Sequence, residues 1–128
     1  MDMKRWVVVL LAAVMLLGAC GDKKVEGETA DRFIQDAEQV VTLLNDGDTE
    51  GVHGMLDATM KEQLTADQLD EVVGIIKESG EYEQVDKSSV EKKDEYYTTV
   101  LVVKYSEQKR VFTITFNEQD EVAGLYIK

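Results

Sequence analysis

Residues 65–90, TADQLDEVVGIIKESGEYEQVDKSSV, hold the point at which the periodicity of this chain changes, and that change decides the fold. Thr65 with Gln68 three places on is a capping box, and Leu64 and Leu69 are spaced as the hydrophobic staple around it. Leu69, Val72, Val73 and Ile76 then follow at helical spacing, and Ser79-Gly80 supplies a stop. Beyond Gly80 the apolar period falls to two. Residues 82–90, 96–105, 110–117 and 122–127 read as strands, joined by the short polar links 92–95, 106–109 and 118–121. Short links between consecutive strands predict an antiparallel meander with spatial order following chain order. Leu101, Val103, Phe112, Ile114, Phe116 and Leu125 are expected on the helix side, with Thr113 and Thr115 facing away.

Upstream of this stretch the pattern is helical. Phe33, Ala37, Val40, Val41 and Leu44 recur at three- and four-residue spacing from an expected N-cap at Thr29 to a left-handed stop at Asn45-Asp46-Gly47. A second helix starts at Asp48 or Thr49, carries Val52, Met55 and Leu56, and continues through Met60 to Leu64 with a break. Helices preceding a run of strands give an α+β layer fold, with three N-terminal helices packed on a curved four-stranded antiparallel sheet.

The first twenty residues carry an address. Lys4 and Arg5 precede an apolar run from Trp6 to Leu17, which ends in Leu17-Gly18-Ala19-Cys20. That order is a bacterial lipoprotein signal, with cleavage between Ala19 and Cys20 and a diacylglyceryl group on the Cys20 thiol. Twelve apolar residues are too few for the ~20 that span a hydrocarbon core, so the run reads as a leader and not a membrane helix. The expected division is a signal peptide at 1–19, a flexible tether at 20–28 and one α+β domain at 29–128. The expected location is extracytoplasmic, on the cell membrane through the Cys20 lipid.

The precursor of 128 residues has 14 Lys and Arg against 26 Asp and Glu, and removal of Asp2, Lys4 and Arg5 with the leader leaves 12 against 25, a net charge of −13. Phosphate binding needs clustered positive charge, so nucleic acid is excluded as a partner class. Cys20 is the single cysteine, and once acylated it leaves no thiol for a disulfide, redox pair or thiolate metal site.

Several residues in order resemble a bacterial domain of unknown function, family 3887. They are Gly47-Asp48 opening a helix, Met55-Leu56-Asp57, Met60-Lys61, Leu64, Gln68-Leu69, Gly80 with Tyr82, Phe116-Asn117-Glu118 and Val122-Ala123-Gly124-Leu125. The chain departs at Val72-Val73, where relatives tend to show a tryptophan. The family is similar to the cone of nuclear transport factor two, in which a curved sheet wraps helices around a pocket. Members occur on lipoproteins and ahead of α/β-hydrolase domains. The resemblance implies an accessory module and carries over no catalytic residue.

The remaining chemistry is sparse. Asp46, Asp48, Glu50 and Asp57, with Gly51 between, imitate a calcium loop, but His53 stands at the eighth position and Asp57 replaces the bidentate Glu at the twelfth; Asp48 as a plain N-cap explains the segment as well. His53 is the sole histidine and reads as a surface or pocket-rim residue. Neither a catalytic set, a metal site nor a cofactor is expected. Tyr82, Tyr96, Tyr97, Tyr105 and Tyr126 fall on or beside strands. Tyr97 and Tyr105 share parity with Leu101, which suggests a pocket of Tyr97, Leu101, Tyr105 and Phe112 between the sheet and the first and third helices. The expected function is non-catalytic binding of a small molecule or envelope protein through that pocket or the sheet face. The alternatives are a small pocket enzyme associated with hydrolases and a purely structural or regulatory interaction module.

Overall fold

The computed structural model describes residues 22–128. The expected leader, with its expected cleavage point at Ala19 and Cys20, lies outside the described residues. In chain order the elements are β1 (Asp22–Val25), α1 (Gly27–Asp46), α2 (Thr49–Met55), α3 (Ala58–Gln63), α4 (Ala66–Glu78), β2 (Tyr82–Lys93), β3 (Tyr96–Tyr105), β4 (Lys109–Phe116) and β5 (Val122–Ile127). The α+β order stands, and the five strands form one antiparallel sheet in the order β1-β2-β3-β4-β5.

Two expectations need correction. The sheet has five strands, because residues 22–25 of the expected tether pair with β2 from Asp22↔Lys93 to Val25↔Val90. Val25 packs against the core there and Lys24 lies opposite Glu91, which favour the pairing, while Lys23 faces the like-charged Lys92. A four-residue strand with two lysines carries no readable period, yet charge and brevity are how edge strands resist pairing with other chains. Helix α1 also starts earlier than Thr29: Glu26 is its N-cap, without a side-chain bond, and Gly27 takes φ 77° to swing the chain from strand into helix.

The other helix ends follow their local chemistry. Gly47, at φ 78°, closes α1 with its N–H directed at the carbonyls of Leu43 and Leu44. The Asp48 carboxylate accepts from Gly51 N at 2.9 Å and starts α2, while Asp57 accepts from Met60 N at 2.8 Å and starts α3. The expected break in the second helix is thus two short helices. At α4 both halves of the capping box are present, with Thr65 N donating to Gln68 Oε1 at 2.9 Å and Gln68 N donating to Thr65 Oγ1 at 3.3 Å.

Helix α1 lays Ala30, Phe33, Ala37, Val40, Val41 and Leu44 on the sheet, which meets them with Leu101, Val103, Phe112, Ile114 and Phe116, all buried. Leu125 is half-buried at the margin of the same core. Phe33 and Phe116 meet with ring centroids 5.5 Å apart, and the interior is filled by these rings. Strand β2 runs on to Lys93 because β1 supplies a second partner to its far half. Irregular register between Tyr82 and Gln84 and between Val85 and Lys87 places two bulges in its near half, which bend the sheet beside α4.

Candidate functional site

Where α1 and α4 end, β2 begins and β3 ends, their termini converge. The stop signals in the sequence are what bring them there: Asn45 and Asp46 precede the Gly47 cap of α1, and Ser79-Gly80 turns the chain out of α4 toward Tyr82. Gly80 holds φ 97°, and a Cβ at this position would collide with Ser106 Oγ and approach Glu107 N to 3.0 Å. The turn is pinned from the opposite side. Glu81 N donates to Ser106 Oγ at 2.9 Å, Ser106 N to Glu81 O at 2.8 Å, Glu107 N to Ser79 O at 2.9 Å, and Arg110 Nε to the buried Ser79 Oγ at 2.6 Å. The link between β3 and β4 is thereby fixed to the exit of α4.

This fixed rim encloses a cleft of about 340 Å³ lined by Asn45, Ile76, Lys77, Glu81, Tyr82 and Tyr105 among others, at the low end of the ~300–1,000 Å³ usual for small-molecule sites. Tyr105 is only 2 % exposed, and its hydroxyl donates to Asn45 Oδ1 at 2.6 Å. Burial pushes the phenol up to about 12, so the hydroxyl remains a proton donor across the physiological range. Tyr82 stands edge-on to Tyr105, with ring centroids 6.1 Å apart at 75°, and is 48 % exposed. The cleft thus offers one exposed ring, one fixed phenol, an amide, and charges of both signs on its rim.

The pocket expected from strand parity does not assemble. Tyr105 lines the cleft, but Leu101 and Phe112 are buried in the core beneath α1. Tyr97 lies eight residues along β3, roughly 26 Å away at strand rise, stacked on Phe33 at 4.2 Å with Lys92 Nζ 5.5 Å above its ring. Parity placed all four on one face correctly, but a face as long as β3 spans the whole core and reaches a cleft only at its end. Ile76 and Lys77 are legible as helix residues and Asn45 as part of a helix stop, and no signal marks them as lining a site. Only the convergence of two helix stops with a strand end brings them together.

The calcium-like segment is divided between two structures. Helix α2 occupies its middle, and its Asp48 and Asp57 carboxylates cap separate helices. His53 is half-buried, with Nε2 3.3 Å from the carbonyl oxygen of Lys61, and so bridges α2 and α3.

The model of the family described as "Protein of unknown function (DUF3887)" matches residues 37–125. No curated protein matches the chain. Among solved structures, the chain is similar to one titled "NMR structure of protein from Ruminococcus gnavus ATCC 29149", with 20% sequence identity, 80% of this chain and 90% of that one covered, and a TM-score of 0.62. At that identity the likeness is one of fold.

Proposed function

This chain belongs to the DUF3887 family, and from that premise we propose a non-catalytic recognition domain that takes a small molecule or a segment of an envelope protein in the Asn45–Tyr82–Tyr105 cleft. The observation that carries this reading is the 2.6 Å bond between Tyr105 and Asn45. With the phenol proton directed at Asn45 Oδ1, the Tyr105 oxygen keeps acceptor capacity, and the Asn45 amide N–H groups have no further bond among the described residues. Such a fixed donor and acceptor pair beside an exposed ring orients a polar ligand without offering a nucleophile.

On the same reading the domain is extracytoplasmic, held to the membrane by a diacylglyceryl group on Cys20, and its fold is of the cone type of nuclear transport factor two. The Leu17-Gly18-Ala19-Cys20 signal supports the first, and the two bulges in β2 with α1 laid across the sheet support the second. Strand β1 enters the sheet at Asp22, opposite Lys93, beside the link between β2 and β3. The Tyr105 cleft lies at the other end of β3, so an anchor at Cys20 directs it away from the membrane. A second reading, an interaction module working through the outer sheet face, is favoured by the filled interior, since recognition is then confined to the surface.

The test is ligand-observed NMR of a library of polar fragments against wild type, Asn45→Ala and Tyr105→Phe. The expected result is a set of hits lost in both variants while each still unfolds in one cooperative thermal transition. Hits that persist in both would overturn the cleft. For the anchor, fatty-acid label should enter wild type and not Cys20→Ser.

A further inference from the structure

On the outer face of the sheet, at the far end from the Tyr105 cleft, two tyrosines are exposed and lie outside the buried core. Tyr126 is 76 % exposed and Tyr96 is 42 % exposed. Both line an open groove of about 440 Å³, whose floor is Gly124 and Thr115 and whose rim is Asp57 and Thr59. Gly124 sits opposite Thr115, and Thr115 opposite Thr98, so the floor is one row across three strands. A Cβ on Gly124 would lie 3.4 Å from Thr115 Cβ, and its absence keeps the floor low between the two rings. The rim is fixed, because Asp57 N donates to Val122 O at 2.8 Å and Leu56 bridges Val122.

The chemistry of this lining is selective. Among the described residues Asp57 is the only charged one in this lining, which disfavours phosphates and carboxylates. One oxygen of Asp57 caps α3, which leaves the other, with the Thr59 hydroxyl and the capacity that the Thr115 hydroxyl keeps beside its 3.1 Å bond to Thr98 Oγ1, to meet neutral polar groups. The tyrosines are displaced by two strands and four residues in register, about 16 Å between backbones at ordinary strand spacing. That is too far apart for a cage closing on one ammonium, whose rings must lie within ~6 Å of the cation. A second groove of about 320 Å³, lined by Val111, Thr113, Tyr126 and Ile127 with Lys128 at its edge, continues on the other side of Tyr126. An extended ligand that presents flat apolar faces and hydroxyls in alternation matches these two platforms.

We propose that the Tyr96–Tyr126 groove binds an uncharged oligosaccharide, with the two end rings of a roughly four-ring segment lying on the tyrosines and the hydroxyls of the rings between them meeting Asp57, Thr59 and Thr115. The tyrosine faces take the C–H side of a sugar ring, and each phenol tip stays wet. This site is independent of the Tyr105 cleft, so either can fail without the other.

The test is a titration of the 15N-labelled domain, residues 20–128 with Cys20→Ser, with chitotetraose and, separately, cellotetraose to millimolar concentration. The expected result is saturable shifts confined to Tyr96, Thr98, Thr115, Gly124 and Tyr126 with at least one of the two sugars. Tyr126→Ala and Tyr96→Ala should each weaken binding about tenfold or more, Gly124→Val should abolish it, and Tyr105→Phe should leave it unchanged. Because Tyr96 and Tyr126 are exposed, their variants should unfold at the wild-type temperature. No shifts with either sugar, shifts outside the groove, or binding that survives Tyr126→Ala would overturn the proposal. So would concentration-dependent self-association that Tyr126→Ala removes, which would assign the groove to a second copy of the chain.

Discussion

Strand β3 has two faces of nearly the same composition and opposite fates. Tyr97, Thr99, Leu101, Val103 and Tyr105 face the helices, and all but the half-buried Tyr97 are buried. Tyr96, Thr98, Val100, Val102 and Lys104 face outward, and none is buried. Each face has tyrosine, threonine and branched aliphatic residues, so β3 alone does not say which of them the helices cover. The neighbouring strand decides it. On β4 the inner positions are Phe112, Ile114 and Phe116 and the outer ones Val111, Thr113 and Thr115, and α1 seats Phe33 against the larger side chains. A sheet face is chosen by the summed apolar bulk of adjacent strands.

The sharpest way to break this contrast is Phe116→Ala. Its ring is fully buried among Phe33 and its neighbours, and its loss should cost about 3–5 kcal/mol in chemical denaturation. A cost under ~1 kcal/mol would show that α1 does not depend on that face.

Thr99 sharpens the contrast in the other direction. It occupies a core position, and its hydroxyl is buried without a hydrogen-bond partner. Thr99→Val keeps the shape and removes the unsatisfied oxygen, so the denaturant midpoint should rise by the equivalent of about 1 kcal/mol. A loss of stability would mean that the hydroxyl has found a partner, such as a bound water.

The inner face also carries a pH signature at its Tyr105 end. The phenol is raised in the folded state from 10.0 to about 12, so folding holds its proton more tightly than the unfolded chain does. Its contribution is fully present below the unfolded value of 10.0 and is lost as pH climbs through about 12. The melting temperature should therefore fall more steeply over that window in wild type than in Tyr105→Phe. Equal slopes would place the hydroxyl in water.

The smallest effect is expected on the outer face. Tyr126→Ser should change stability by less than ~0.5 kcal/mol, because the side chain is mostly exposed. A larger loss would show that the outer face contributes packing of its own.

Much of this was legible in the chain. The capping box at Thr65, the stop at Gly47 and the inward set on β3 and β4 are local signals, and local contacts honour them. Strand β1 was not legible, because Lys23 and Lys24 carry no period and their pairing depends on a partner some seventy residues away. The cleft was half legible. Tyr105 follows from parity, whereas Asn45, Ile76 and Lys77 join it only through the meeting of two helix ends.

The entry of β1 into the sheet also bears on mechanics. Residues 20–28 as a free leash of nine residues would let the domain range ~30 Å from its attachment. With β1 formed, Gly21 alone separates Cys20 from the first paired residue, a reach of roughly 7 Å. If Cys20 carries the proposed lipid, the domain would be moored within that reach of the surface that carries it. Tension from that side falls first on four residue pairs at the sheet edge, which can peel from β2 while α1 remains seated. On the proposed anchor such a strand would act as a fuse, lengthening the mooring under load and sparing the core.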